Sequence, residues 1–268
     1  MTGEPGSSRL GGVINQHLRI FGGIRVLTSF AAALTGRRTS ILDGLYHEYS
    51  FFGARNKQAE GNFVLNQKAK SPIITAYIAL AIAKAKEVKE DVSFVELFCA
   101  DAYYAMVASR LGAARSVGID NNRDGYADAD KVNKIARFLD IANFTYQDAD
   151  INTLGTKDVY DIVANVGGLY HVSNPEAVLD KSYAMAEQFL IIQTVVSLAN
   201  EAPDYFEAPA PGWDWGCRYS RQSFDALIKA KGYDVVDRHF NILEGNARPE
   251  DRGSLYYLIQ KPSAASTA

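Results

Sequence analysis

The chain has 268 residues, of which 47% are hydrophobic and 22% are charged, so it has the composition of a globular protein long enough to bury a sizeable core. A formal net charge of -3 excludes a strongly basic protein that binds polyanions through its overall charge. Cys99 and Cys217 stand far apart, without Cys or His at metal-binding spacing, which predicts neither a disulfide framework nor a metal site.

The longest apolar segment, Ile73 to Ala85, is interrupted by lysine and is too short to span a bilayer. The start of the chain lacks the basic and then apolar order of a signal peptide. We therefore expect a soluble, cytoplasmic protein with no membrane partner.

The first ninety residues are predicted to be mainly helical. Apolar residues recur at helical spacing from Gln16 to Thr35, and a second helix is expected from Pro72 to Lys89 with Pro72 at its start. We interpret residues 1–90 as an N-terminal helical cap or lid and residues 91–262 as a second domain.

After Asp91, short β-branched runs alternate with amphipathic segments, which is typical of a parallel sheet covered by helices. A polar connector alone separates the last two strands, so they should form an antiparallel hairpin. The predicted strands are Ser93–Phe98, Ser116–Ile119, Phe144–Gln147, Ile162–Asn165, Leu190–Val195, Tyr233–Phe240 and Leu255–Gln260. The predicted helices are Tyr103–Leu111, Arg123–Leu139, Pro175–Ala186 and Ser220–Lys231.

The most specific motif follows the fourth predicted strand. The run Gly168-Leu169-Tyr170-His171 with Pro175 resembles the G-x-L-Y-H-x-x-x-P signature of one branch of the class I S-adenosylmethionine-dependent methyltransferases. That branch includes tRNA wobble-uridine carboxymethyl-transferring enzymes and their small-molecule relatives. The order of elements over roughly residues 90–261 is similar to the same class.

The resemblance implies an α/β fold: a Rossmann-like, seven-stranded, mostly parallel sheet with an antiparallel C-terminal hairpin and an N-terminal helical cap. It also implies S-adenosylmethionine as the cofactor. In an open parallel sheet the ligand lies beyond the carboxyl ends of the strands, so the residues after each strand are the candidates for the site.

The loop after the first strand reads VELFCADAYYA, where the family has E/D-x-G-x-G-x-G around the methionine part of the cofactor. Phe98, Ala100 and Ala102 take the three glycine positions. The alternative is a purely structural strand-to-helix turn. The resemblance implies cofactor contacts from this loop by Glu96, Phe98, Cys99, Ala100, Asp101 and Ala102.

Acidic residues end the next two strands. Asp120, with Asn121 beside it, can accept both ribose hydroxyls, or it can serve as a helix N-cap. The resemblance implies that Asp148, followed by Ala149, accepts from the adenine amino group. Asp150 competes for that role, and either carboxylate can instead be a solvated loop residue.

At the fourth strand end the candidate cofactor contacts are Asn165 and Gly167. Next to them, His171 can act as a general base near neutral pH and Tyr170 can donate a phenolic hydrogen bond. The alternative is that both residues cap the following helix and pack the loop. Methyl transfer depends largely on alignment and on the exclusion of water, so no catalytic triad is required.

Two aromatic-rich segments flank the sheet and suit a partly apolar substrate, or they contribute ordinary core aromatics. The basic residues are scattered, which favours a small-molecule acceptor, with oxygen or nitrogen receiving the methyl group, over tRNA modification. A catalytically silent nucleoside-binding module is the alternative from another class. The candidate substrate-binding residues are Tyr49, Phe52, Arg55, Trp213, Trp215, Arg218 and Tyr219.

Overall fold

The computed structural model describes residues 37–38, 40–123, 125–126, 128–155 and 158–262. The helix predicted over Gln16–Thr35 lies outside these residues. The helices are α1 (Phe63–Lys86), α2 (Tyr103–Arg110), α3 (Ala129–Phe138), α4 (Pro175–Met185) and α5 (Arg221–Ala230). The strands are β1 (Arg37–Arg38), β2 (Ala54–Arg55), β3 (Ser93–Leu97), β4 (Arg115–Asp120), β5 (Phe144–Asp148), β6 (Tyr160–Val166), β7 (Ala186–Val196), β8 (Phe206–Glu207), β9 (Arg218–Tyr219), β10 (Asp234–Ile242) and β11 (Gly253–Gln260).

One seven-stranded sheet has the order β10-β11-β7-β6-β3-β4-β5. Strands β7, β6, β3, β4 and β5 pair in parallel, whereas β11 is antiparallel to both β7 and β10. This arrangement confirms the predicted Rossmann-like sheet with its antiparallel hairpin. Strand β3 has β4 on one side and β6 on the other, so the strand order reverses at β3 and opens a crevice beyond its carboxyl end.

Both faces of the sheet are covered. Phe94 and Val95 of β3 belong to two different hydrophobic clusters, because successive side chains of a strand point to opposite faces. Leu45 and Ile78, from the segment before β3, are buried in the same cluster as Phe94. The described part of residues 40–90 therefore shares its core with the sheet, and the domain division at residue 90 stays a prediction.

Two helix starts differ from the prediction. Helix α1 begins at Phe63, so Pro72 lies inside it, where its ring nitrogen cannot bond to the carbonyl of Lys68. Helix α3 begins at Ala129 and not at Arg123. Its N-cap is Asp128, whose side chain accepts a hydrogen bond from the Lys131 N–H at 2.8 Å.

The remaining boundaries shift by smaller amounts, with one exception at β7. That strand begins at Ala186 and not at Leu190, because α4 ends at Met185 and the chain passes directly from the helix into the strand. None of the helices in the described part of the chain has the length and hydropathy needed to cross a membrane.

Candidate functional site

A cleft of about 1100 Å³ lies at the carboxyl ends of the parallel strands. Its floor comes from the residues that follow β3, β4, β5 and β6, and helix α1 and the segments around residues 46 and 213–218 form its walls. The register aligns these strand ends, with Leu97 beside Ile119 and Asn165, and Asp120 beside Asp148. The crevice at the reversal of strand order is therefore open to a ligand.

The glycine-free loop after β3 adopts glycine-like backbone conformations. Phe98, Ala100 and Ala102 have φ values of 58°, 48° and 60°, all in the left-handed region. A side chain in that region costs about 1–2 kcal/mol per residue. The loop thus keeps the path expected of a nucleotide-binding turn although it lacks the usual glycines.

Neighbouring glycines make room for the side chains of this loop. A Cβ on Gly118 would lie 2.8 Å from the Ala102 Cβ and 2.9 Å from the Cys99 Sγ. A Cβ on Gly168 would lie 2.0 Å from a ring carbon of Phe98. The glycines therefore stand on β4 and in the loop after β6, opposite the side chains that the β3 loop carries.

Asp120 holds this loop in place. Its Oδ2 accepts from the Ala100 N–H at 2.9 Å and its Oδ1 accepts from the Asn122 N–H at 2.7 Å. Because Asp128 caps α3, Asp120 is not the helix N-cap considered as its alternative role. Asp120 also lines the cleft, so a ligand bound there lies within reach of its carboxylate.

Glu96 lies at the bottom of the cleft and is fully buried. Its Oε2 accepts from the Ala105 N–H at 2.7 Å, in the first turn of α2. Burial raises the pKa of Glu96 well above its usual value, and the charges of Asp101 and Asp120 act in the same direction. This site therefore favours either a proton on Glu96 or a cation beside it.

The two acidic candidates after β5 differ in position. Asp150 and Ala149 line the cleft, whereas Asp148 is exposed and does not. The Asn152 N–H donates to Asp150 Oδ1 at 2.7 Å, and this hydrogen bond is the main cause that holds the pKa of Asp150 below its usual value. Asp150 is the better-placed acceptor of the two.

Tyr170 and His171 lie in a short 3₁₀ helix at the cleft, where His171 is exposed and its ring stacks on Trp215 with centroids 5.0 Å apart. They do not cap α4, because Asn174 does so through its side chain and the Ala177 N–H. Burial raises the pKa of Tyr170. The two rings are therefore presented to the cleft.

Arg218 is buried in the wall of the cleft that Trp213 and Trp215 also line. Its Nε and Nη2 lie 2.9 and 2.7 Å from Asp251 Oδ1, and its guanidinium carbon lies 5.3 Å from the centre of the Tyr170 ring. Next to it, Trp213 and Trp215 have ring centroids 5.1 Å apart. Charge and aromatic surface are thus combined on this wall.

Asp101 plays a different part from the one expected. It is fully buried, and its two carboxylate oxygens bond to the His47 N–H at 2.8 Å and the His47 Nδ1 at 2.6 Å. The Tyr49 hydroxyl donates to the Asp101 carbonyl at 2.9 Å. These bonds tie the β3 loop to the segment that precedes α1.

The cleft unites most of the predicted site residues. Those that line it are Glu96, Phe98, Cys99, Ala100, Asp120, Asn121, Ala149, Gly167, Tyr170, His171, Trp213, Trp215 and Arg218. The predicted residues that lie outside its lining are Asp101, Ala102, Asp148, Asn165, Tyr49, Phe52, Arg55 and Tyr219. Tyr49, Phe52 and Tyr219 pack against other aromatic rings, as the alternative of ordinary core aromatics anticipated.

The sequence prediction missed the wall formed by α1. Phe63, Asn66, Lys70 and Ile74 line the cleft at a spacing of three, four and four residues, which places them on one face of the helix. A helix predicted to begin at Pro72 hides this pattern. The sequence signal that could have revealed this wall was a lysine and an asparagine on a helix face that is otherwise apolar. Tyr46, His47 and Tyr126 also line the cleft and were not among the predicted site residues.

Within the described ranges, no group of three or more His, Cys, Asp or Glu side chains is arranged to hold a metal ion. Cys99 and Cys217 are both buried free thiols. Burial raises the pKa of each of them, so neither favours the thiolate form.

No protein-family model matches the sequence, and no curated protein matches it either. Comparison with solved structures shows that the chain has the fold of class I methyltransferases. One such structure is magnesium protoporphyrin IX methyltransferase (ChlM) from Synechocystis PCC 6803 with bound SAH, with a TM-score of 0.53, 14% identity, and coverage of 75% of this chain and 84% of that chain.

Two further structures give similar values. Coclaurine N-methyltransferase bound to N-methylheliamine and SAH has a TM-score of 0.52 and 12% identity, covering 69% of this chain and 73% of that chain. The N-terminal domain of EvdMO1 with SAH bound has a TM-score of 0.52 and 16% identity, covering 78% and 88%. The narrower resemblance to the tRNA wobble-uridine branch stays a prediction.

Proposed function

We propose that this chain is an S-adenosylmethionine-dependent methyltransferase that transfers the methyl group to an oxygen or nitrogen of a small-molecule metabolite. The proposal rests mainly on the cleft at the reversal of strand order, where the loop after β3 keeps its left-handed turns and bonds to Asp120. The similar structures with bound SAH support the choice of cofactor.

The residues of the cleft fit this cofactor. Asp120 would accept the ribose hydroxyls, Asp150 would accept from the adenine amino group, and Glu96 would lie near the methionine ammonium. A cleft of about 1100 Å³ has room for the cofactor and a second small molecule. When bound, S-adenosylmethionine would supply a methyl group activated by its sulfonium sulfur, which would leave as the neutral thioether of S-adenosylhomocysteine as the acceptor bonds in line to the methyl carbon.

The protein's contribution to the reaction would be positioning and proton removal. Tyr170 and His171 lie at the cleft, and the stack of His171 on Trp215 fixes the plane of the imidazole. We assign to His171 the role of proton acceptor from the nucleophile and to Tyr170 that of hydrogen-bond donor. ChlM and coclaurine N-methyltransferase are named for methyl transfer to small molecules, which supports an acceptor of that kind.

Calorimetric titration with S-adenosylmethionine and S-adenosylhomocysteine tests the proposal. We expect micromolar binding of both, and Asp120→Ala should weaken it roughly tenfold to a hundredfold because the ribose loses a charged acceptor. Asp130→Ala is the matched control, since Asp130 is an exposed carboxylate on α3 that pairs with Lys134. No binding by the wild-type chain at high micromolar concentration would contradict the proposed function.

Asp120 also supports the β3 loop, so a change in folding has to be separated from a change in binding. Asp120→Asn keeps an oxygen that can accept from the Ala100 N–H but loses the negative charge. We expect its affinity for S-adenosylhomocysteine to lie between those of Asp120→Ala and the wild type, and its melting temperature to fall less than that of Asp120→Ala, because the amide keeps one of the two accepting oxygens. Unchanged affinity in both variants would show that Asp120 does not bind the ribose.

A further inference from the structure

The charged side chains of the cleft are unevenly distributed between its two sides. Asp120 bonds to the β3 loop, its charge acts on Glu96, and Asn121 donates to Asp150 at 3.4 Å, so these three carboxyl groups lie together beyond the carboxyl ends of β3 and β4. Of the four cations in the described lining, Arg123 follows β4, whereas Lys70, Arg218 and Arg248 lie on the other wall, which we call the cationic wall. The carboxylates Asp214 and Asp251 line that wall as well.

Contacts between α1 and the loop after β10 join the cationic wall into one unit. Asn66 Nδ2 donates to Asn246 Oδ1 at 2.8 Å, and Asn246 Nδ2 donates to the Asp251 carbonyl at 2.6 Å. Asp251 in turn pairs with Arg218. Lys70, one turn after Asn66 on α1, therefore belongs to the same wall as Arg218.

Lys70 differs from Arg218 and Arg248 in having no counter-ion among the described residues. Arg218 pairs with Asp251, and Arg248 lies 3.7 Å from Glu250 and 3.8 Å from Asp251. Lys70 is only 7% exposed, it lines the cleft, and in the described part of the chain it makes no ion pair or hydrogen bond. A largely buried ammonium without a partner charge is available to an anion bound in the cleft.

The surface around Lys70 is aromatic. The Lys70 ammonium lies 5.8 Å from the centre of the Tyr46 ring, and the Tyr46 ring is 4.5 Å from Phe63 and 5.1 Å from Tyr126. The Lys70 charge lowers the pKa of Tyr170 more than the Arg218 charge does, although burial outweighs both and the pKa is raised. An acidic group at Lys70 would thus be attached to a ring or other apolar body that packs on these aromatic side chains.

We propose that the methyl acceptor is an aromatic or similarly planar carboxylic acid whose carboxylate binds the Lys70 ammonium. This inference rests on the proposed function and names the substrate class of the same cleft. The two ends of the cleft then carry complementary charge, because the carboxyl groups face the cationic cofactor and the lysine faces the anionic acceptor. The group that binds Lys70 is a carboxylate. Because the cofactor also carries a carboxylate, the experiment must distinguish the carboxylate of the acceptor from that of the cofactor.

The experiment compares carboxylates with their neutral amides in the presence of saturating S-adenosylhomocysteine. The probes are benzoate, 4-hydroxybenzoate and 2-naphthoate, each against its amide, followed by calorimetry or ligand-observed NMR. We expect at least one carboxylate to bind the wild-type chain roughly tenfold to a hundredfold more tightly than its amide. A hydrogen bond to a charged group strengthens binding by about that factor. If no carboxylate of the panel binds more tightly than its amide, the inference is wrong.

Variants at Lys70 test whether this residue causes the preference for the carboxylate over the amide. Lys70→Met keeps the length and apolar character of the stem and should abolish the preference for the carboxylate, whereas Lys70→Arg should retain most of it. Lys68→Met is the matched control, because Lys68 lies on the exposed face of the same helix, and it should behave as the wild type. Thermal melting of each variant confirms that it is folded.

The outcomes distinguish the two sources and the two proposals. If Lys70→Met weakens S-adenosylhomocysteine and leaves the probes unaffected, the carboxylate at Lys70 is that of the cofactor and the acceptor assignment is wrong. If Lys70→Met changes neither, Lys70 binds no carboxylate. If the wild-type chain fails to bind S-adenosylhomocysteine at all, the proposed function fails, whatever the probes show at Lys70.

Discussion

Three side chains in the loop after β3 hold backbone conformations that glycine adopts with less strain. Of these, Ala100 has the simplest surroundings, because its N–H bond to Asp120 does not depend on its side chain. The Ala102 Cβ and the Phe98 ring, in contrast, pack against Gly118 and Gly168. Relief of strain can therefore be measured most cleanly at Ala100.

We expect Ala100→Gly to increase the free energy of unfolding by about 0.5–1 kcal/mol, because the left-handed φ of 48° penalises any Cβ. Urea denaturation measures the change. Ala108→Gly in α2 is the control, and it should lower the free energy of unfolding by about 1 kcal/mol or more, since that residue is helical and buried. Destabilisation by both substitutions would contradict the conformation described for Ala100.

At the residue scale, sequence reasoning identified the strand ends that line the cleft but not all of the side chains that reach it. The position of Asp120 at the cleft was predictable, because a carboxylate that ends the second strand lies at the carboxyl edge of the sheet in such a fold. Asp101 was misassigned because its neighbours in sequence suggested a ligand contact, while its actual partner, His47, lies 54 residues away. Contacts over such distances leave no local pattern.

Asp161, the second residue of β6, joins neighbouring strands at the end of the sheet opposite the cleft. Its side chain is buried and accepts hydrogen bonds from Ser93 N–H and Oγ at 2.7 Å each, and from Gln188 Nε2 and Lys89 Nζ at 2.8 Å each. One carboxylate therefore connects the starts of three strands. Burial alone would raise the pKa of Asp161, but the hydrogen bonds from Lys89, Ser93 and Gln188 outweigh it and hold the pKa below its usual value.

We expect Asp161→Asn to lower the free energy of unfolding by about 2–4 kcal/mol at neutral pH, because buried donors lose a charged acceptor. A depressed pKa stabilises the fold above the unfolded pKa of about 4, and this contribution is lost as the pH falls through the folded pKa. The difference between variant and wild type should thus shrink below about pH 4 in chemical denaturation. Asp158→Asn, at an exposed position, should change stability by less than about 0.5 kcal/mol. An Asp161→Asn difference that does not depend on pH would contradict this role.

At the element scale, the central strands were predictable because they are buried on both faces and mostly apolar, as in β6, β7 and β11. The starts of α2, α4 and α5 were also predicted to within one residue, whereas those of α1 and α3 were not. Pro72 is a good first residue of a helix, so the sequence favoured a start there, yet the buried face of α1 extends one way to Asn66 and the other way to Ile74 and overrides that preference.

The whole molecule has a formal net charge of -3, and the cations that line its cleft, apart from the exposed Arg123, are buried or paired. We therefore expect no retention on immobilised bulk tRNA at physiological salt, in contrast to a basic tRNA-binding protein run as the control. Retention that falls steeply between low and moderate salt would instead favour the tRNA-modifying alternative, because that dependence reports phosphate contacts.

The fold of the whole molecule followed from the alternation of strands and helices, but the cationic wall could not be predicted. Its parts come from α1 and from the segment before β11, and the bond between Asn66 and Asn246 joins residues 180 positions apart. Composition and periodicity describe each segment alone. Only the folded sheet places them side by side.

Strand β11 also completes the sheet. It follows β10 in the chain but lies between β7 and β10, so the outer edge of β7, a mostly apolar strand, is unpaired until β11 is added. Asp251, two residues before β11, pairs with Arg218. A chain in which β11 had not yet joined the sheet would expose the edge of β7, and the same long-range pairing that covers this edge brings Asp251 towards the cationic wall.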